Sequence, residues 1–141
     1  IAEENGRLPL KRGPKALQEK GIPYYHLTKK GILVGLAING IKNMVPQSKK
    51  FFAKSNPEEE KFEEILTKFM ITSPTFTYSI FQKYVKAFCE DKINELLPFD
   101  LSKLQDISDE NLIIQKEIVL AFGKLSNKEK KEAVVFLDEI T

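Results

Sequence analysis

The sequence predicts a mainly α-helical protein in which a two-stranded β-hairpin is followed by a multi-helix bundle. Three observations lead there. From Lys29 onward, apolar residues recur at helical spacing in almost every stretch. Successive stretches open on helix-start chemistry: Asn56 with Pro57, Ser73 with Pro74, and Ser126 with Glu129 three residues on. Only ahead of Lys29 does the pattern change, where Tyr24, Tyr25, His26 and Leu27 bring strand-favouring aromatic residues together.

In chain order, Ile1 to Asn5 reads as the last turn of a helix, with Asn5 and Gly6 available for the left-handed conformation that ends one. Arg7 to Arg12 alternates apolar and polar residues around Pro9, which permits an edge strand only. Gly13 and Pro14 break it, and Lys15 to Lys20 forms a loop tip or a single helical turn before the chain returns at Tyr24. Thr28 is placed to cap the next helix, since its hydroxyl can accept from an unpaired first-turn amide. That helix carries Ile32, Leu33, Leu36, Ala37, Ile41 and Met44 inward, and Pro46 stops it. Gln47 to Lys54 reads as a basic linker.

The helix opened by Asn56 runs to about Ile71, with Phe62, Ile65, Leu66 and Phe69 on one face. The next, from Pro74, carries Phe76, Ile80, Tyr84, Phe88 and Ile93 and continues to Leu97, where Pro98 closes it. A short helix is expected over Asp100 to Ile107. Ser108 caps another that turns Leu112, Ile113, Val119, Leu120 and Phe122 inward, and the last begins at Ser126. The resulting domain plan is 1–45 for the hairpin and its following helix, 46–55 for the linker, and 56–141 for the helical bundle.

Composition narrows the class. With 42% hydrophobic and 30% charged residues, the chain has enough apolar surface to offset the entropy of ordering. Its longest apolar run, Ile32 to Ile38, is far below the roughly 20 residues that span a bilayer, so a cytoplasmic protein with no membrane partner is expected. The chain opens at Ile1 and not at a methionine, and we expect residues ahead of it in a longer protein. One cysteine, Cys89, excludes an intramolecular disulfide framework and any multi-cysteine zinc site. The net charge of +2 conceals a division: up to Lys30 there are seven basic residues against three acidic ones, a balance of +4, which leaves −2 for the rest. A basic arm beside a near-neutral body has the form of a polyanion-binding edge.

Tyr25, Leu27, Thr28 and Gly31 fit the pattern Y-x-L-T-x-x-G, in which a strand leads into a capped helix. With Arg7 to Arg12 as a first strand and Gly13 to Pro23 as a loop, residues 1 to about 45 resemble the C-terminal half of a winged helix-turn-helix DNA-binding domain. The resemblance implies that the hairpin is a wing lying on duplex DNA. The recognition helix of such domains, which carries most base readout, is absent from this sequence, except that Ile1 to Asn5 would be its end. What the resemblance implies for this chain is therefore contact with phosphates or the minor groove, without sequence specificity of its own.

The DNA-binding candidates are Arg7, Lys11, Arg12, Lys15 and Lys20 along the arm, with Lys29 and Lys30 in a helix first turn. Each would neutralise a phosphate and release condensed counterions. Lysine opposes the helix dipole at that position, so the last two are easier to understand facing an anion than extended into water. His26, the sole histidine, is expected to be structural or solvent-facing, because catalytic and metal-binding histidines come with partners. Cys89 reads as a small buried hydrophobe. Phe76, Ile80, Tyr84 and Phe88 read as core, or as the lining of a groove for an effector or a second subunit. Glu58, Glu59, Glu60, Glu63 and Glu64 read as dipole-favoured charge on a solvated face.

No Gly-rich phosphate loop, metal-ligand spacing or nucleophile with a base partner occurs, so a non-enzyme without cofactors is expected. The expected function is DNA-binding transcription regulation. Its partners would be double-stranded DNA, a second copy of the chain, and a small-molecule or protein effector at the helical body. The alternative is a non-catalytic helical protein-interaction module with no nucleic-acid role.

Overall fold

The computed structural model describes residues 2–8, 22–38, 44–53, 56–107 and 109–141. It divides into two units, Ile1–Gln105 and Asp106–Thr141. The protein is mainly helical, as the apolar spacing requires. Among the described residues, none of the helices is long and apolar enough to cross a membrane.

The first unit begins with two strands, β1 (Ala2–Leu8) and β2 (Ile22–Leu27), paired antiparallel from Ala2 opposite Leu27 to Leu8 opposite Ile22. The residues expected to end a helix are thus strand, because their amides and carbonyls are taken up by a ladder to a segment some twenty residues away. The pairing slips between Glu4 and Gly6, which leaves Asn5 as an extra residue in a bulge. Gly6 has φ 144°, a conformation open to a residue without Cβ. Lys11, Arg12, Lys15 and Lys20 lie outside the described residues.

Among the described residues, five α-helices follow in this unit: α1 (Lys29–Leu36), α2 (Met44–Phe52), α3 (Pro57–Glu60), α4 (Glu63–Thr72) and α5 (Pro74–Cys89), with a 3-10 turn at Leu101–Leu104. Helix α1 packs on α2 and α5, α2 on α4, and α4 on α5. Their shared core holds Leu33 and Leu36 from α1, Phe51 and Phe52 from α2, Leu66 and Met70 from α4, and Ile80, Phe81 and Tyr84 from α5. Phe99, fully buried, sits at its centre. It meets Phe51, Phe52 and Tyr84 edge-on with ring centroids at 5.5, 6.2 and 4.9 Å, and stacks on Phe81 at 5.6 Å.

Several boundaries differ from expectation. The helix expected to run from Asn56 to about Ile71 is parted at Lys61 and Phe62 into α3 and α4. Pro46 lies in the first turn of α2 instead of stopping a helix; a proline is tolerated there because that turn has no intrahelical acceptor for its amide. The stretch read as a linker is consequently helical to Phe52, and its two phenylalanines belong to the core. Helix α5 ends at Cys89, not Leu97: Asp91 takes φ 58°, and Lys92 N–H folds back to the Ala87 carbonyl at 2.8 Å. Ile93 and Leu96 are still buried, from irregular chain. Cys89, the last helical residue before that turn, is exposed.

The irregular segment is secured by side chains. Tyr84 Oη donates to the Leu96 carbonyl at 2.7 Å, and Lys103 Nζ donates to the Pro98 and Glu95 carbonyls at 2.6 and 3.2 Å. Burial pushes the Tyr84 phenol from its ordinary 10 up to about 12. An unfolded chain therefore loses this proton before the folded one does. The contribution of Tyr84 is intact below pH 10 and disappears as the pH climbs through about 12. Urea titrations across that range should show the Tyr84→Phe protein losing less stability than the parent; parallel losses would contradict the burial argument.

The second unit consists of α6 (Glu110–Gly123) and α7 (Asn127–Ile140). Asp109 caps α6, its carboxylate accepting from Leu112 N–H at 3.0 Å; Ser108, the expected cap, lies outside the described residues. The capping box read from the sequence is present at α7: Ser126 Oγ accepts from Glu129 N–H at 3.3 Å while the Glu129 carboxylate accepts from Ser126 N–H at 2.7 Å. Those bonds hold the Glu129 carboxyl below the usual carboxylate range. The two helices do not pack along each other, and neither buries a side chain. Ile113, Val119, Leu120 and Phe122, expected inward, are exposed.

Candidate nucleic-acid interface

The junction between β2 and α1 is built as its residue types dictate. Thr28, extended at φ −67° and ψ 169°, leaves the strand and caps the helix, with its hydroxyl accepting from Gly31 N–H at 3.1 Å. Ile32 N–H then donates to the Thr28 carbonyl at 2.9 Å to start the helical ladder. Gly31 is buried. The threonine and glycine of the Y-x-L-T-x-x-G pattern therefore act as the cap and the capped amide of one turn.

Beside that turn, Tyr25 and Leu27 point to the same side of β2 and are 62% and 48% exposed. Glu4, in register with Tyr25, is exposed as well. The open side of the ladder thus mixes an aromatic, an aliphatic and an acidic group. Arg7 stands on β1 opposite Pro23, one residue short of the end of the ladder. Residues 9–21, where Lys11, Arg12, Lys15 and Lys20 fall, join the two strands there.

The two first-turn lysines diverge. Lys30 is exposed and no acid shares the first turn of α1. Lys29 forms an ion pair with Glu59, thirty residues away, and its ammonium lies 5.1 Å from the centroid of the Phe51 ring. The unfavourable dipole at this helix end is therefore answered from within the protein. Lys29 is three-quarters covered and already has an anionic partner.

Glu59 is the residue that sequence reasoning missed. Read as one of a solvated acidic run, it is 2% exposed, whereas Glu58, Glu60 and Glu64 face water. It completes the capping box of α3: Asn56 Oδ1 accepts from Glu59 N–H at 3.1 Å, and Glu59 Oε2 accepts from Asn56 N–H at 3.3 Å. Its other oxygen, Oε1, accepts from Phe99 N–H at 3.3 Å. One carboxylate thereby joins the first turn of α1, the start of α3 and the centre of the core. The local signal was available, since the third position of a capping box turns its side chain back toward the backbone. Nothing local pointed to Lys29.

Elsewhere the candidates resolve simply. Ile80 and Tyr84 are core, Phe76 is half-buried and Phe88 is exposed, so the four-residue series does not line one continuous groove. A hollow of 550 Å³ beside Lys92–Pro98 and Lys103 is open to solvent. Among the described residues, no group of three or more His, Cys, Asp or Glu is placed to hold a metal ion. Comparison with known protein families, with curated proteins and with solved structures finds no significant match.

Proposed function

We propose that this chain is the wing-bearing part of a DNA-binding transcriptional regulator of the winged helix-turn-helix kind. The wing is the β1–β2 ladder with its basic connection, and it lies on the phosphate backbone of duplex DNA. The helical remainder serves in dimerisation or effector sensing, without catalysis, in the cytoplasm. The observation that carries the reading is the junction itself: a tyrosine-bearing strand, antiparallel to an earlier one, runs into a helix through a threonine cap and a buried glycine. Around it the charge has the right sign, with Arg7, Lys11, Arg12, Lys15 and Lys20 supplying phosphate contacts and Lys30 a further one at the helix start. Lys29 is assigned to Glu59 and contributes to the DNA surface only by holding α1 in place.

Fluorescence anisotropy with a labelled duplex over a salt series tests this. Affinity should fall steeply with salt. Replacing Arg7, Lys11, Arg12 and Lys15 by alanine should flatten the slope of log K against log salt by roughly 3 to 4, close to one unit for each phosphate contact removed. Binding that is absent or indifferent to salt would reject the DNA reading. It would leave the helical protein-interaction module, which the exposed apolar residues of α6 and α7 favour.

A further inference from the structure

Helices α6 and α7 pose a physical problem that the rest of the chain does not. Helices of 14 residues are marginal in water unless an apolar face is packed. Yet within this unit neither helix packs along the other, and neither contributes a buried residue. The sequence of α6 is that of an interior helix, while α7 is apolar in its C-terminal half. In α6 the consecutive triplets Leu112–Ile114 and Ile118–Leu120 spread apolar side chains over the whole circumference. The C-terminal half of α7 does the same through residues 133–137. One neighbour can cover one face of such a helix, so α6 needs at least two.

We propose that α6 and α7 are the dimerisation element of this protein, interlocking with the same two helices of a second copy in an antiparallel four-helix arrangement. The proposal gives a surface and a geometry to the dimerisation half of the function above, and does not rest on DNA binding.

Two quantities select a second copy as the occupant. Area is the first. Eleven large apolar residues on α6 and α7 are 38 to 69% exposed. At roughly 150–200 Å² for each such residue when fully exposed, the uncovered surface is on the order of 1,000 Å². A standard-size interface uses about 800 Å² per partner. Charge placement is the second. The elbow between the helices is basic on balance, with Lys124, Lys128, Lys130 and Lys131 against Glu129 and Glu132, the latter paired with Lys128. Both outer ends are acidic, with Asp106 and Glu110 entering α6 and Asp138 and Glu139 leaving α7. A parallel pairing would set elbow on elbow, like charge on like. An antiparallel two-fold pairing sets each elbow against the ends of the other copy, and symmetry makes every such match twice.

Light scattering and sedimentation of the full chain, without DNA, should give a dimer across a wide concentration range. Ile118→Lys and Val135→Lys should each shift it toward monomer by at least an order of magnitude in Kd, with helical content followed by circular dichroism. Since these variants also disturb the helices, a charge test decides the geometry. Lys130→Glu with Lys131→Glu, or Asp138→Lys with Glu139→Lys, should each weaken the dimer on the order of tenfold. All four together should restore it. A chain that is monomeric at every concentration overturns the proposal, whether its apolar surface is covered by its own first unit or awaits an unrelated protein. A dimer that the quadruple reversal fails to restore overturns the antiparallel arrangement. A monomer that still binds duplex DNA with steep salt dependence would reject this inference and leave the DNA reading standing.

Discussion

Phe99→Ala should destabilise the first unit by about 3–5 kcal/mol, the range for removing a large aromatic side chain from a close-packed core. The residue is fully buried and touches four other rings, from α2 and α5, so no single neighbour can move in to fill the space. Against a total stability of about 5–15 kcal/mol for a domain, that loss is enough to unfold a sizeable fraction of the protein at modest denaturant. Chemical denaturation followed by far-ultraviolet circular dichroism is the check. A loss below about 1 kcal/mol would mean that the five rings are not the unit's organising core. The position is unusual in that its backbone belongs to no helix or strand. Its location depends on Tyr84, Lys103 and Glu59 bonding to the segment around it.

The second large effect belongs to Glu59. Glu59→Ala removes the acceptor for Asn56 N–H and Phe99 N–H, and leaves Lys29 without the carboxylate it pairs with. Breaking one side of a buried ion pair costs about 3–5 kcal/mol, most of it from stranded polar groups. The partner change differs in kind. Lys29→Met leaves a carboxylate that still accepts two amides in a site nearly closed to water, while Lys29→Met with Glu59→Ala removes both charges. The double variant should therefore be more stable than the sum of the single losses implies, by 1 kcal/mol or more. Additive losses would show that the pair is not coupled. The same variants separate the two lysines functionally: in folded protein Lys29→Met should leave the salt slope of DNA binding unchanged, whereas Lys30→Ala should reduce it by about one.

What could be read from the sequence was local chemistry. Thr28, Asn56, and Ser126 with Glu129 each cap a helix as their residue types and spacing demand, because donor and acceptor lie within three residues. Pro57 and Pro74 stand at helix starts, where a missing amide leaves no intrahelical bond unmade and the ring presets φ. What failed was anything set by a distant partner. The first strand begins at Ala2, within the stretch read as a helix end, because a ladder is fixed by the segment it pairs with; of the expected strand Arg7–Arg12, residues 9–12 lie outside the described residues. The end of α5 at Cys89 was hidden, since Ile93 and Leu96 continue the apolar spacing although they reach the core from irregular chain. Glu59 looked like its acidic neighbours because its distinguishing partners are thirty and forty residues away. The inward expectation for α6 failed, since Ile113, Val119, Leu120 and Phe122 are exposed; apolar composition marks a helix that favours burial but does not say what covers it.

The extra residue at Asn5 acts as a reading-frame shift in the ladder. Before it, the even positions 2 and 4 of β1 are in register with Leu27 and Tyr25. After it, position 7 is opposite 23, which stands in the same alternate row of β2 as Tyr25 and Leu27. A continuous ladder would have put position 7 in the opposite row, with positions 24 and 26. A single inserted residue thus brings position 7 into register with the row of β2 that ends at Tyr25 and Leu27 beside the Thr28 turn. Which row of β2 the last positions of β1 are paired with is decided by one residue's worth of backbone, and not by strand propensity.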